Sequence, residues 1–128
     1  MTHSEAQARA QLESILEMVK ALEVTTGTGN DDEAREKAEQ TIREDALEVS
    51  FRSGWAHSRD EMKPKEFNIL LCTGGPACRI IGQLDEHGYP ETATIEHRDW
   101  GTPWTEYRIT AEQEEKVLIY CQQFYFGE

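Results

Sequence analysis

The hydrophobic period of this chain changes once, from 3.6 residues to 2, near Leu47, and that change limits what it can fold into. Before it, Ala8, Leu12, Ile15, Leu16, Val19 and Leu22 recur at the spacing of one helical stripe. Ser4 is the expected N-cap of this first helix, with Gln7 at the capping-box position. The helix is expected to fade near Glu23, where residues 25–30 mix β-branched side chains with two glycines and read as a loop. Asp31 or Asp32 then caps a second helix running to about Asp45. Its apolar stripe of Ala34, Ala38, Thr41 and Ile42 is narrow.

After the switch, Leu47, Val49 and Phe51 alternate with Glu48, Ser50 and Arg52, the pattern of a half-buried strand. Residues 56–65 are charged, contain Pro64 and read as a loop. Three more strands are expected over 67–73, 77–84 and 92–98. They are joined by the Gly74-Gly75-Pro76 turn and by an 85–90 turn in which Gly88 suits a positive φ. Short links favour antiparallel neighbours. Residues 99–107 read as an irregular aromatic loop. Thr110, with Gln113 three residues on, caps a last helix whose stripe is Val117, Leu118, Cys121 and Phe124. The tail 124–128 is too apolar to dangle and is expected to fold back onto the sheet. The expected fold is therefore α+β in a single domain, 1–128. A helical pair occupies 1–46, and 47–128 holds a four-stranded, mostly antiparallel sheet with the C-terminal helix packed on it.

Charge narrows the function classes. Against 13 basic residues stand 25 acidic ones, a formal net charge of −12 in 128 residues. Such a chain is repelled by nucleic acid and by anionic membrane, and its acidity serves solubility first. The longest apolar run is Ile69-Leu70-Leu71-Cys72, too short to span a bilayer. An odd cysteine count and a start without a basic, then apolar, leader favour a reducing compartment, so the expected location is the cytoplasm.

The chemistry-bearing residues form no recognisable set. Cys72, Cys78 and Cys121, with the scattered His3, His57, His87 and His97, lack the close pairing of a structural zinc site, so neither metal nor cofactor is expected. His97 and Asp99 share a strand face, yet nothing marks a nucleophile for them. The Gly74-Gly75-Pro76 turn lacks the lysine and following helix of a phosphate loop. No catalytic residue is assigned.

Two features suit a protein partner. One is the aromatic loop, with Trp100, Trp104 and Tyr107 as candidate contacts, since these residue types dominate interface hot spots. Its bland alternative is a loop capping the core beside Trp55. The other is the acidic second helix, with Asp31, Asp32, Glu33, Glu36 and Glu39 as a face able to imitate a phosphate track. Its alternative is a solvated face, made less acidic by Arg35, Lys37 and Arg43.

Four stretches occur together: Arg52-Ser53-Gly54-Trp55, the run from Leu70 through Thr73-Gly74-Gly75-Pro76 to Ile80, the segment DWGTPWTEY over 99–107, and the terminal FYFGE. In these the chain resembles a family of small proteins encoded in bacteriophage and prophage genomes, from about Glu44 onward. The resemblance implies a phage accessory protein in the bacterial cytoplasm and carries no catalytic assignment. The expectation drawn from it is a non-enzymatic protein that binds a host protein, such as a nucleic-acid-binding defence complex, in the manner of an anti-CRISPR or anti-restriction inhibitor. Two alternatives stand beside it. One is a small enzyme or ligand-binding protein with a site between the Gly74-Gly75 turn and the Trp100–Trp104 loop, using His97, Asp99 or Arg79. The other is a protein that self-associates through the tryptophan loop and the tail.

Overall fold

The computed structural model describes residues 2–27 and 32–126. In chain order the elements are α1 (His3–Gly27), α2 (Asp32–Asp45), β1 (Glu48–Ser53), a single 3-10 turn (Arg59–Glu61), β2 (Pro64–Cys72), β3 (Ala77–Gln83), β4 (Thr94–Arg98), β5 (Thr105–Tyr107) and α3 (Ala111–Cys121). The architecture is α+β. Its five strands form one sheet in the order β1-β2-β3-β4-β5, and every neighbouring pair is antiparallel.

One face of the sheet is the floor of the core. Phe67, Ile69 and Leu71 of β2, Cys78 and Ile80 of β3 and Ile95 of β4 are buried there at the period of 2. Against them lie Ala8, Leu12, Ile15, Val19 and Leu22 of α1, with Val117, Tyr120 and Cys121 of α3. The helical stripe and the strand alternation were both legible, and they meet here as one cluster. The second helix, α2, sits on α1 and contributes Ile42 to the core. Its far end is tied down by Tyr120, whose hydroxyl donates to Asp45 Oδ2 at 2.7 Å. The tail reaches the sheet through Phe126, which is buried against Phe67 with ring centroids 5.1 Å apart, while Tyr125 is exposed and residues 127–128 lie outside the described residues.

Several expectations need correction. The sheet has five strands, the fifth being Thr105–Tyr107 inside the segment read as irregular. A three-residue edge strand has no periodicity of its own and exists because β4 offers it a ladder. The first helix runs past Glu23 to Gly27, since β-branched residues lower helix propensity only slightly. The N-cap of α1 is Thr2, not Ser4: Thr2 Oγ1 accepts the Glu5 N–H at 3.0 Å. Tyr120, absent from the expected stripe of α3, is fully buried. Leu47 and Phe51 are not half-buried but exposed, at 61% and 48%. Among the described residues no helix is long and apolar enough to cross a membrane.

Candidate functional site

Helices cover one face of the sheet and leave the other open. On the open face the cross-strand register lines up Glu48, Leu70, Arg79, Glu96 and Glu106 in one row and Ser50, Asn68, Ile81 and Thr94 in the next. Arg79 and Glu96 form a mostly buried ion pair, with the guanidinium on Glu96 Oε1 at 2.7 and 2.9 Å. Trp104, arriving from the β4–β5 connection, lies against two guanidiniums of this face. Arg79 stands 4.1 Å and Arg98 4.4 Å from its ring centroid. Each contact adds cation–π attraction of about 0.5–2 kcal/mol. Together they fix the indole on the sheet instead of leaving it in solvent. Beside this cluster lies a shallow depression of about 230 Å3, lined by Ser50, Arg52, Glu66, Asn68, Arg79 and Ile81. Arg52 and Glu66 close its outer wall as a bidentate pair at 3.1 and 3.0 Å. The pairing raises the guanidinium pKa and lowers that of the carboxyl through the shared hydrogen bonds.

The three candidate aromatics do not act as one patch. Trp104 is half-buried on the open face. Tyr107 points to the helix-covered face, edge-on to His97 at 6.3 Å, and packs against the core. Trp100 is 87% exposed at the end of the sheet, above the Gly74-Gly75-Pro76 turn, where a Cβ on Gly75 would stand 3.3 Å from Trp100 Cβ. The loop does not cap the core beside Trp55. Trp55 is fully exposed and follows β1, whereas Trp100 follows β4, at the opposite end of the sheet. Arg98, which helps to hold Trp104, was not singled out in the sequence. Alternation alone puts it on the open face, but only the register brings it to Trp104.

His97 and Asp99 do meet, and a third partner joins them. Ser4, 2% exposed, donates its hydroxyl to Asp99 Oδ2 at 2.9 Å, and its backbone N–H donates to Asp99 Oδ1 at 3.0 Å. His97 Nδ1 lies 2.8 Å from the same hydroxyl oxygen. A serine hydroxyl has one proton, and here it goes to the carboxylate, so the imidazole donates to Ser4. A nucleophilic serine needs the reverse, an imidazole that accepts the hydroxyl proton. This trio is a clamp: Asp99 at the end of β4 accepts a free N–H of the first turn of α1 and holds that helix to the sheet. An open cleft of about 560 Å3 borders it, reached by Thr102, Tyr107 and Arg108. Arg79 lies on the other face of the sheet and does not join His97 and Asp99.

The thiols are free. Cys72 and Cys78 are register partners across β2 and β3, with Cys72 beside Gln7 and Gln11 of α1. Burial, and then the neighbouring Cys72, pushes the Cys78 thiol up to about 12, and burial raises Cys121 further. Among the described residues no group of His, Cys, Asp and Glu could hold a metal ion.

On α2, Asp32, Glu33 and Glu36 are exposed, while Glu39 is partly covered and bridges Arg35 at 3.1 Å and Arg43 at 3.7 Å. Asp31 lies outside the described residues. The acidic face thus consists of three carboxylates free of Glu39's arginine bridges. No protein-family model matches the chain, and no curated protein or solved structure matches it either.

Proposed function

We propose that this chain is a non-catalytic binding protein, a phage accessory factor that docks on a host protein and competes with nucleic acid for a basic surface of a bacterial defence complex. The observation that carries the reading is Trp100, held almost wholly in solvent at the sheet end beside the exposed residues of the loop. Large exposed aromatics are the residue class from which interface anchors are drawn. The −12 charge would speed encounter with a basic partner, and Asp32, Glu33 and Glu36 offer it carboxylates on a rigid helix. The Ser4 hydroxyl, spent on Asp99, offers no nucleophile in competition with this reading.

The test is capture from nuclease-treated bacterial lysate on the immobilised 128-residue chain. We expect one stoichiometric, nucleic-acid-binding complex, retained at low salt and released at high salt. We further expect it to be lost with Trp100→Ala and weakened by the triple variant Asp32→Lys, Glu33→Lys, Glu36→Lys. Retention that is indifferent to salt and to both variants would overturn the reading.

A further inference from the structure

The two edges of the sheet are unequal. One edge, β5, is three residues long and follows Pro103, so it offers little ladder to a newcomer. The other, β1, is a six-residue strand, EVSFRS, with no proline, glycine or lysine, and its only irregularity falls at its end, between Arg52 and Ser53. Edge strands of this kind present unpaired backbone groups that another strand completes, unless charge, proline or a covering element prevents it. Among the described strands β1 pairs with β2 alone. On its core-side face Val49 packs against the core, while Phe51, and Leu47 just before the strand, are exposed.

The order of residues along β1 identifies what fits it. We infer that β1 pairs antiparallel with β1 of a second copy of this chain, about a two-fold axis through Ser50. In that register Glu48 of each copy stands opposite Arg52 of the other, Val49 opposite Phe51, and Ser50 opposite Ser50. The five positions from Glu48 to Arg52 are then complementary. The opposite charges fall on the open face, and the apolar pair falls on the core-side face, where Phe51 is now in water. Cross-strand pairs of both kinds stabilise a sheet, whereas like charges placed opposite oppose it. Arg52 already holds Glu66 on its own β2, so the dimer extends this to a row Glu66–Arg52–Glu48 across the joint. A closed two-fold pairing consumes the β1 edge of each copy, and the charges that would guard such an edge become pairs across the joint. It also merges the two open faces into one ten-stranded surface with a Trp104 cluster on each half. The inference stands independently of what that surface binds.

Light scattering on the intact chain, from low to high micromolar, tests it. We expect a concentration-dependent rise from 14.7 kDa to twice that mass. Arg52→Glu and Glu48→Arg should each return the chain to monomer, and the double exchange E48R/R52E should restore the dimer. Arg52→Glu places two carboxylates together within one chain, since Glu66 is its partner. That clash is still present in the double variant, so restored dimer reports the contact between copies. Ser50→Cys in a Cys72→Ser background should form a disulfide-linked dimer with glutathione disulfide. A chain that stays monomeric throughout, or a dimer indifferent to Arg52→Glu, would overturn the pairing. So would a double exchange that keeps its circular dichroism spectrum yet remains monomeric.

Discussion

At the residue scale, Gly82 shows how little room the core leaves. It lies on the core side of β3 opposite Phe67, and a methyl there would run into the Thr92 carbonyl and come within 2.7 Å of the Phe67 ring. The aromatic ring occupies the space that the glycine leaves and covers a stretch of backbone otherwise poorly packed. Neither obstacle is a flexible side-chain end, so Gly82→Ala should cost about 2–3 kcal/mol in urea unfolding. Adding Phe67→Leu should fail to recover all of it, because the Thr92 carbonyl remains. Ser4 is the second such position. Ser4→Ala leaves the His97 imidazole and one Asp99 oxygen without their buried partner. The expected loss is about 2 kcal/mol, the desolvation cost of polar groups left unmatched. Had Ser4 been only an exposed N-cap, the loss would be about 1 kcal/mol. Unfolding curves of Ser4→Ala and Asp99→Ala, which act on the same clamp, should be non-additive in the double variant.

At the element scale, what could be read from the sequence divides by how local its cause is. The α1 stripe, the β2 run and the positive φ of Gly88 depend on neighbours a few residues away, and all three appear. The capping box of α3 does so in full: Thr110 Oγ1 accepts the Gln113 N–H at 3.1 Å and Gln113 Oε1 accepts the Thr110 N–H at 2.9 Å. Thr110→Ala should therefore cost about 1 kcal/mol, measured by thermal unfolding, with the sheet intact. At the start of α1 two local patterns compete, Thr2-x-x-Glu5 and Ser4-x-x-Gln7, and what decides between them is Asp99, 95 residues away, which takes the Ser4 hydroxyl and N–H and leaves the cap to Thr2. For the same reason β5 was missed, since it is a strand only in the presence of β4. The candidate site follows this division. The tryptophans were legible as unusual, but their separation onto the open face, the covered face and the sheet end depends on where the loop meets Arg79, Arg98 and Gly75. The open edge at β1 was hidden by its own alternation, which reads as half-buried until the reach of the helix layer is known.

At the scale of the whole molecule, stability at alkaline pH is tied to groups that the core holds protonated. Cys78 and Cys121 are fully buried, and burial raises both thiols, Cys78 to about 12 from an ordinary value of 9.0. In the unfolded chain both ionise near pH 9. Above that, the unfolded state has lost protons that the folded state keeps, and linkage makes folding stability fall as pH rises. The fall begins near pH 9 and continues toward about 12 for Cys78. Tyr120, also raised by burial and by its bond to Asp45, joins above its ordinary value of 10. Each thiol contributes a slope of about 1.4 kcal/mol per pH unit once the unfolded form is ionised. Between pH 8 and 10 the two together should remove about 2–3 kcal/mol, seen as a lower urea midpoint at constant m. The carboxylates contribute nothing to this window, being ionised in both states throughout it. In Cys121→Ala the drop across the same interval should shrink by about 1.4 kcal/mol, the share of that one thiol, even though the variant begins less stable at pH 8. An undiminished drop in that variant would assign the alkaline sensitivity to the repulsion of a −12 surface instead, and added salt would then relieve it.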